Sequence, residues 1–418
     1  MKTIFHIDIN HCYAQIEEMM HPELRRVPMA VGGHEEKRQG IILAKNDLCK
    51  KYHILTGESL MEARKKCPDL LIIPPHYADY IYYTNEVKDI YRQYSDHVES
   101  FGLDEAWIDY TDSARLFGKG EKTAREIQDR VLKEIGLTVS VGISWNKVFA
   151  KLGSDMKKSS GMTVITKENY HELVWPLPVG DLLYVGPATN YKLHERGILT
   201  IGELAAYPVE YLKNLMGVSG EMIHAFANGE DPSEVQETGY SSAVKSVGNS
   251  MTMIHDVDSL EELKPVCYVL CEAVASRLRD HGMEGDVISV SLRTAGLNWV
   301  SAQHKLSQKT CISTEIMEAM MSIAGTYDFS SALRAVGVSV GHLSPIGTEK
   351  QLNFFVDEKK RDRALKMDSV MDEIRNKYGF YSVRRVCTIM DEPLTDFNVK
   401  ADHIVHPTGY FQGRKMGL

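Results

Sequence analysis

The chain has 418 residues, 43% hydrophobic and 25% charged, with a formal net charge of −9. That length exceeds a single core and predicts about three domains at roughly 150 residues each. The acidic balance argues against a strongly basic nucleic-acid coat without excluding DNA binding, since local charge decides contact. No apolar run approaches the roughly 20 residues that span a bilayer. Asp8 interrupts the short apolar start, so no signal peptide is expected. The seven cysteines include no CxxC pair, which predicts reduced thiols and a cytoplasmic setting.

Thr3–Asn10 reads as an apolar strand with Asp8 near its end. An aspartate there is paired or metal-bound if buried. His11–Met20 reads as a helix with Tyr13, Ile16 and Met20 toward one side, which sets Tyr13 about one turn after Asp8. Short strands follow at 27–31 and 40–44, then helical pieces. Lys45, Lys50 and Lys51 come just after Ile41-Ile42-Leu43, where a triphosphate can be met. A tyrosine-rich helix is predicted from Tyr77 to about His97.

Phe101-Gly102-Leu103-Asp104-Glu105-Ala106-Trp107 brings two adjacent carboxylates next to a glycine turn signal. Neighbours on a strand point to opposite faces, so Asp104 and Glu105 share a site only at a turn or a strand end. Gly102 makes such a turn available. If this strand lies beside the first, Asp8, Asp104 and Glu105 converge and need a cation between them. Hard divalent ions with oxygen ligands, Mg²⁺ above all, suit such a set. Taken singly, each acid equally reads as a surface strand end.

A helix through Ala124, Ile127, Val131 and Ile135, a strand at 137–144, a helix at 146–158 and a strand at 162–165 complete a split βαβ pattern. Residues 181–217 read as paired short helices with a tight turn at Val185-Gly186-Pro187 and an N-cap at Thr200. Such hairpins present backbone N–H groups to phosphate, although a plain packing unit reads the same way. Gly229, Asp231-Pro232 and Ser241-Ser242 mark a linker. Beyond it, strands at 243–253, 286–294, 298–306 and 333–341 alternate with helices from Ser259 and at 313–325 in βαββαβ order. Ser289, Ser291 and Arg293 share a polar face there, beside Lys245, Ser246 and Gly248. The tail holds Gln351-Leu352-Asn353-Phe354-Phe355, then an amphipathic helix with Ala364, Met367, Met371, Ile374 and Tyr378 on its apolar side, and a strand after it.

Four motifs resemble the Y-family DNA polymerases of the DNA polymerase IV, or DinB–UmuC, type. They are His6-Ile7-Asp8-Ile9-Asn10 with Tyr13–Glu18; Leu103-Asp104-Glu105-Ala106; Ser140–Ser144 with Asn146–Lys151; and Lys245-Ser246-Val247-Gly248. The resemblance covers about residues 1–345 and implies an α+β multidomain right hand. It places a ferredoxin-like palm at 1–10 and 75–165, small fingers at 11–74 and a helix-hairpin-helix thumb at 166–233. A linker at 234–242, a βαββαβ little finger at 243–345 and a tail at 346–418 follow.

The implied activity is low-fidelity, template-directed addition of deoxynucleotides to a primer 3′ end, in translesion synthesis. Asp8 and Asp104 would hold two Mg²⁺ ions with Glu105 completing the site and the Ile9 carbonyl assisting. Tyr13 matches the steric gate, and Lys158 matches the lysine that reaches the triphosphate. Two positions depart from the pattern. Asp47 stands where relatives place Tyr, and Lys50 where they place a triphosphate-binding Arg; a lysine cannot reproduce a bidentate contact. His11 and Cys12 replace bulkier aromatics beside the gate. Gln351, Leu352, Phe354 and Phe355 match a sliding-clamp docking motif. A nucleotidyl cyclase and a catalytically silent DNA-binding subunit are the alternatives. A cyclase needs neither 181–217 nor 243–341, and intact acids argue against silence.

Overall fold

The computed structural model describes residues 2–33, 40–158, 160–240, 243–347, 357–389 and 392–398. The described residues divide into two compact units, one of residues 2–33 and 41–240 and one formed mainly by residues 243–398.

The first unit opens with β1 (Ile4–Ile9) and α1 (Cys12–Met20). β2 (Met29–Gly32), β3 (Ile42–Lys45), α2 (Leu60–Lys66) and β4 (Leu71–Ile73) follow, and the sheet order is β3-β2-β4. Then come α3 (Tyr77–Arg92), β5 (Val98–Phe101), β6 (Glu105–Asp109), α4 (Ala114–Phe117) and α5 (Gly120–Glu134). β7 (Val139–Ser144), α6 (Lys147–Met156) and β8 (Met162–Val164) close a five-stranded sheet of order β5-β6-β1-β7-β8. β1 is antiparallel to both neighbours, and every one of its residues is buried. Phe5, Ile7 and Ile9 alternate with His6 and Asp8, so one face of the strand enters the core and the other carries the buried polar pair. Phe5, Ile7 and Ile9 pack with Val87, Ile90, Ile127 and Val131 from α3 and α5.

Sequence order and space agree closely here because the crossing helix needs a particular strand surface. A Cβ on Gly142 would stand 1.8 Å from the carbonyl oxygen of Ala150, so β7 admits α6 only with glycine at that position. The remainder of the unit is helical: α7 (Tyr170–Leu173), α8 (Pro187–His194), α9 (Ile201–Ala206), α10 (Val209–Met216) and α11 (Val218–Ala227). Thr200 caps α9 as expected, and its backbone N–H donates to the Glu203 carboxylate. The expected linker is partly docked. Val235 is buried with Ile4 and Trp107, and the Gln236 N–H donates to Glu99 at 2.9 Å.

The second unit runs β9 (Ser246–Val257), α12 (Leu260–Asp280), β10 (Met283–Thr294), β11 (Trp299–Thr310), α13 (Ser313–Ala324) and β12 (Leu333–Gly341). Its sheet order is β11-β10-β12-β9, with β13 (Ser344–Pro345) pairing β10, so the expected βαββαβ pattern is present. The strands start or end up to four residues away from the sequence reading. Gly248, Ser250, Ser289, Ser291, Ser301 and Ser339 line a shallow depression on one face, while α12 and α13 cover the apolar face.

The tail helix α14 (Glu358–Tyr378) corrects the sequence reading of its buried side. Met367 and Tyr378 are 61% and 68% exposed, whereas Asp368 is buried. Asp368 accepts the Ser313 N–H and O–H, each at 2.7 Å, and so supplies the cap that α13 lacks from its own Ile312. Arg279 reaches Asp372 at 2.7 Å and Asp368 at 3.2 Å, Arg361 reaches Glu315 at 2.7 Å, and Arg375 reaches Glu272 at 2.8 Å. Charge pairing, which an apolar-periodicity search does not register, orients this helix. The strand expected after it is replaced, among the described residues, by 3₁₀ turns at Phe380–Ser382 and Val386–Thr388 and a helical turn at Glu392–Thr395. Residues 351–355 of the clamp-like motif lie outside the described residues.

Candidate active site

Antiparallel register sets Asp8 of β1 directly opposite Glu105 of β6. Asp104 sits in the turn before β6, where Gly102 adopts φ 71°, and its carbonyl accepts the Ile9 N–H at 3.2 Å. The turn therefore lets both acids approach Asp8, which a regular strand forbids. Asp8, Ile9, Asn10, Cys12, Tyr13, Lys45, Asp104 and Lys158 line one pocket of about 350 Å³.

The three carboxyls are in unlike states. Glu105 is held by Lys151 at 2.5 Å and by His6 at 3.1 Å, and does not line the pocket. Burial opposes its ionisation, but these partners prevail and bring it down to about 2. Asp104 is pushed up to about 6, first by burial and then by the charges of Asp8 and Glu105. Asp8 is also raised by burial, against the pull of Lys158, whose ammonium pairs with it and with Asp155 at 2.7 Å.

Among the described residues, no three His, Cys, Asp or Glu side chains stand in ready ligating geometry. Lys158 on Asp8 accounts for part of that, since an ammonium occupies an oxygen a metal would use. The donors nonetheless fit a hard divalent cation: oxygen ligands and excess negative charge on Asp104 that a cation would relieve.

Tyr13 lies on the pocket wall, its ring stacked on Tyr80 and edge-on to Tyr77. Tyr80 in turn donates its O–H to the buried Glu17. Sequence reasoning found Tyr13 and missed this support, although the tyrosines spaced three apart in α3 were its signal. His6, Lys151 and Ser154, which hold Glu105 directly or through His6, were also missed as a network. Lys50 lies elsewhere: its ammonium stands 2.7 Å from Asp47, and neither side chain lines the pocket.

Residues 7–155 match the impB/mucB/samB family, and residues 244–354 match that family's C-terminal domain. The DNA polymerase IV of Acetivibrio thermocellus is 42% identical over 94% of this chain and 99% of that protein. DNA polymerase IV 2 of Bacillus subtilis is 35% identical over 93% of this chain and 95% of its own length. Among solved structures, a Y-family DNA polymerase chimera of Dbh and Dpo4 superposes with a TM-score of 0.72 at 19% identity. It covers 81% of this chain and 98% of the chimera. The five-stranded sheet and its helices are thus those of a polymerase palm, and the family match and the 42% identical relative make the chain a nucleotidyltransferase, a DNA-directed DNA polymerase. The chain belongs to the impB/mucB/samB family, the Y-family translesion DNA polymerases of DinB type. That family requires a divalent metal in general. Among the described residues no helix is long and apolar enough to cross a membrane.

Proposed function

We propose that Asp8 and Asp104, with Glu105 and the Ile9 carbonyl in support, hold two Mg²⁺ ions at the primer terminus. The observation that carries this is the turn at Gly102–Asp104, which brings Asp104 into the pocket of Asp8, Tyr13 and Lys158, while the β1–β6 register sets Glu105 opposite Asp8 and outside that lining. When bound, such a pair of ions activates the 3′-hydroxyl and steadies the leaving pyrophosphate. The protein's own part is positional and electrostatic. Asp8 and Asp104 offer oxygens on one wall. Glu105, kept ionised by His6 and Lys151, maintains negative charge behind them. Lys158 exchanges its contact with Asp8 for the triphosphate, and Tyr13 excludes a 2′-hydroxyl.

In this reading residues 1–10 and 75–165 form the palm, 11–74 the fingers, 166–233 the thumb and 243–345 the little finger, with a linker at 234–242. The serine-lined face of β9, β10 and β12 suits duplex phosphates, which neutral hydroxyl and backbone donors can meet without sequence preference. Primer–template DNA and deoxynucleoside triphosphates are the substrates. Gln351, Leu352, Phe354 and Phe355 serve docking on a sliding clamp, and the enzyme works in the cytoplasm at low fidelity. Primer extension with Mg²⁺ tests the reading. Extension requiring template, all four deoxynucleotides and Asp104 supports it; consumption of nucleotide without DNA overturns it.

A further inference from the structure

We infer that Lys45, and not Lys50, is the fingers-side ligand of the incoming triphosphate, an inference that rests on the polymerase reading above. Lys45 ends β3 and lines the pocket with Asp8, Tyr13, Asp104 and Lys158. The two ammonium groups on that lining are in different states. Lys158 is already paired with Asp8 and Asp155. The Lys45 side chain makes no hydrogen bond or ion pair among the described residues, its backbone alone pairing with β2. A half-buried ammonium without an anion, facing a pocket that receives a polyanion, has its charge available at no cost in broken pairs.

Lys50 is committed elsewhere. Its Nζ stands 2.7 Å from Asp47 Oδ1, and His11 Nε2 stands 3.0 Å from the same oxygen. To take a phosphate, Lys50 would have to abandon that carboxylate and leave Asp47 with only His11 beside the incoming negative charge. The pairing thus explains how Asp47 is tolerated next to a triphosphate pocket: the Lys50 ammonium neutralises its charge. His11 lines the pocket and so joins its rim to this cluster, while the intervening Asn46 anchors the chain between Lys45 and Asp47. Its amide donates to the Val27 carbonyl at 2.9 Å and to Glu18 at 3.0 Å, and its backbone N–H donates to the Met29 carbonyl at 3.0 Å. This buried anchor fixes the chain between Lys45 and Asp47, with Lys45 left on the pocket side.

A lysine bonds phosphate as a point charge, so its removal is expected to act on binding more than on chemistry. Single-nucleotide insertion on a primed template tests this with the full chain. Lys45→Ala should raise KM for the deoxynucleotide roughly tenfold with kcat changed by less than about threefold. Lys45→Arg should restore most of the loss, and Lys50→Ala should shift KM by about twofold or less. A KM for Lys45→Ala within about twofold of the unaltered chain, or a larger rise for Lys50→Ala, overturns the inference. Binding of inorganic tripolyphosphate to the DNA-free protein, followed by calorimetry, gives a readout independent of turnover. There Lys45→Ala should weaken binding while the melting temperature stays unchanged; equal affinity overturns the inference. Failure of the unaltered chain to extend any primer would instead sink the polymerase reading, and the tripolyphosphate titration would still decide on Lys45.

Discussion

Tyr13 and Tyr80 lie face to face, ring centroids 4.4 Å apart and planes 12° from parallel. Tyr80 is itself fixed, since its hydroxyl donates to a Glu17 carboxylate that also meets His76 Nδ1 at 2.8 Å. The proposed gate therefore leans on a buttress that is fully buried. Tyr13→Ala is expected to raise ribonucleotide insertion on the order of 10–200-fold, the worth of a lost steric contact. Tyr80→Ala should raise it in the same direction but less, because the gate remains and only its orientation is released. Insertion ratios for matched ribo- and deoxynucleotides check both; unchanged selectivity in Tyr13→Ala removes the gate role.

Asp104 concentrates the unfavourable charge of the pocket. Asp104→Ala should therefore abolish extension, to below about 10⁻³ of the starting rate. Binding to primer–template DNA and its salt dependence should persist, since a carboxylate repels phosphate and its removal takes away no cationic contact. Gel shift and extension measured on the same preparation separate the two effects.

Arg279 is the hub of the ionic contacts that seat α14, meeting Asp368, Asp372 and the Cys311 carbonyl. Arg279→Ala removes the ion-pair partner of Asp372 and one partner of Asp368, which keeps Ser313 and Arg385, at a cost of about 1–3 kcal/mol. A lower melting temperature and faster proteolysis within 358–378 are the expected readouts.

Gly142→Ala tests the close crossing of β7 and α6. The added methyl would strike the helix backbone at Ala150, so a loss of more than about 4 kcal/mol is expected, enough to unfold the first unit. Far-UV circular dichroism and denaturant melting check it; a stable variant would contradict the described register.

Burial sets the behaviour of the thiols. Cys49 is pushed up to about 11 and Cys267 to about 12. The native protein should thus react with a thiol reagent at pH 8 chiefly at Cys387, the one cysteine that is not buried. A raised folded-state value means that folding favours the protonated thiol. The corresponding stability is complete below about pH 9 and is lost as pH rises through about 11–12. Thermal melts from pH 7 to 12, with and without Cys267→Ala, measure that alkaline loss.

The candidate acids, the candidate gate tyrosine and the order of elements are legible in the residues alone. Asp8, Asp104 and Glu105 occur in short motifs whose chemistry is local, and Gly102 announced the turn that brings two of them round. Thr200 and Ser259 marked helix starts because capping is a contact between residues three apart. The tertiary structure alone decided which partner each charge takes. Lys50 chose Asp47, Lys151 chose Glu105 across 46 positions, and Asp368 chose to cap a helix 55 residues away. Such pairings depend on through-space distance and on which ammonium or guanidinium is desolvated beside which carboxylate. Neither quantity is written in spacing along the chain. For the same reason only part of the tail helix's inward side is legible in its apolar spacing: Ala364, Met371 and Ile374 are half-buried, but Met367 and Tyr378 are exposed and the buried Asp368 is satisfied by partners that only folding supplies.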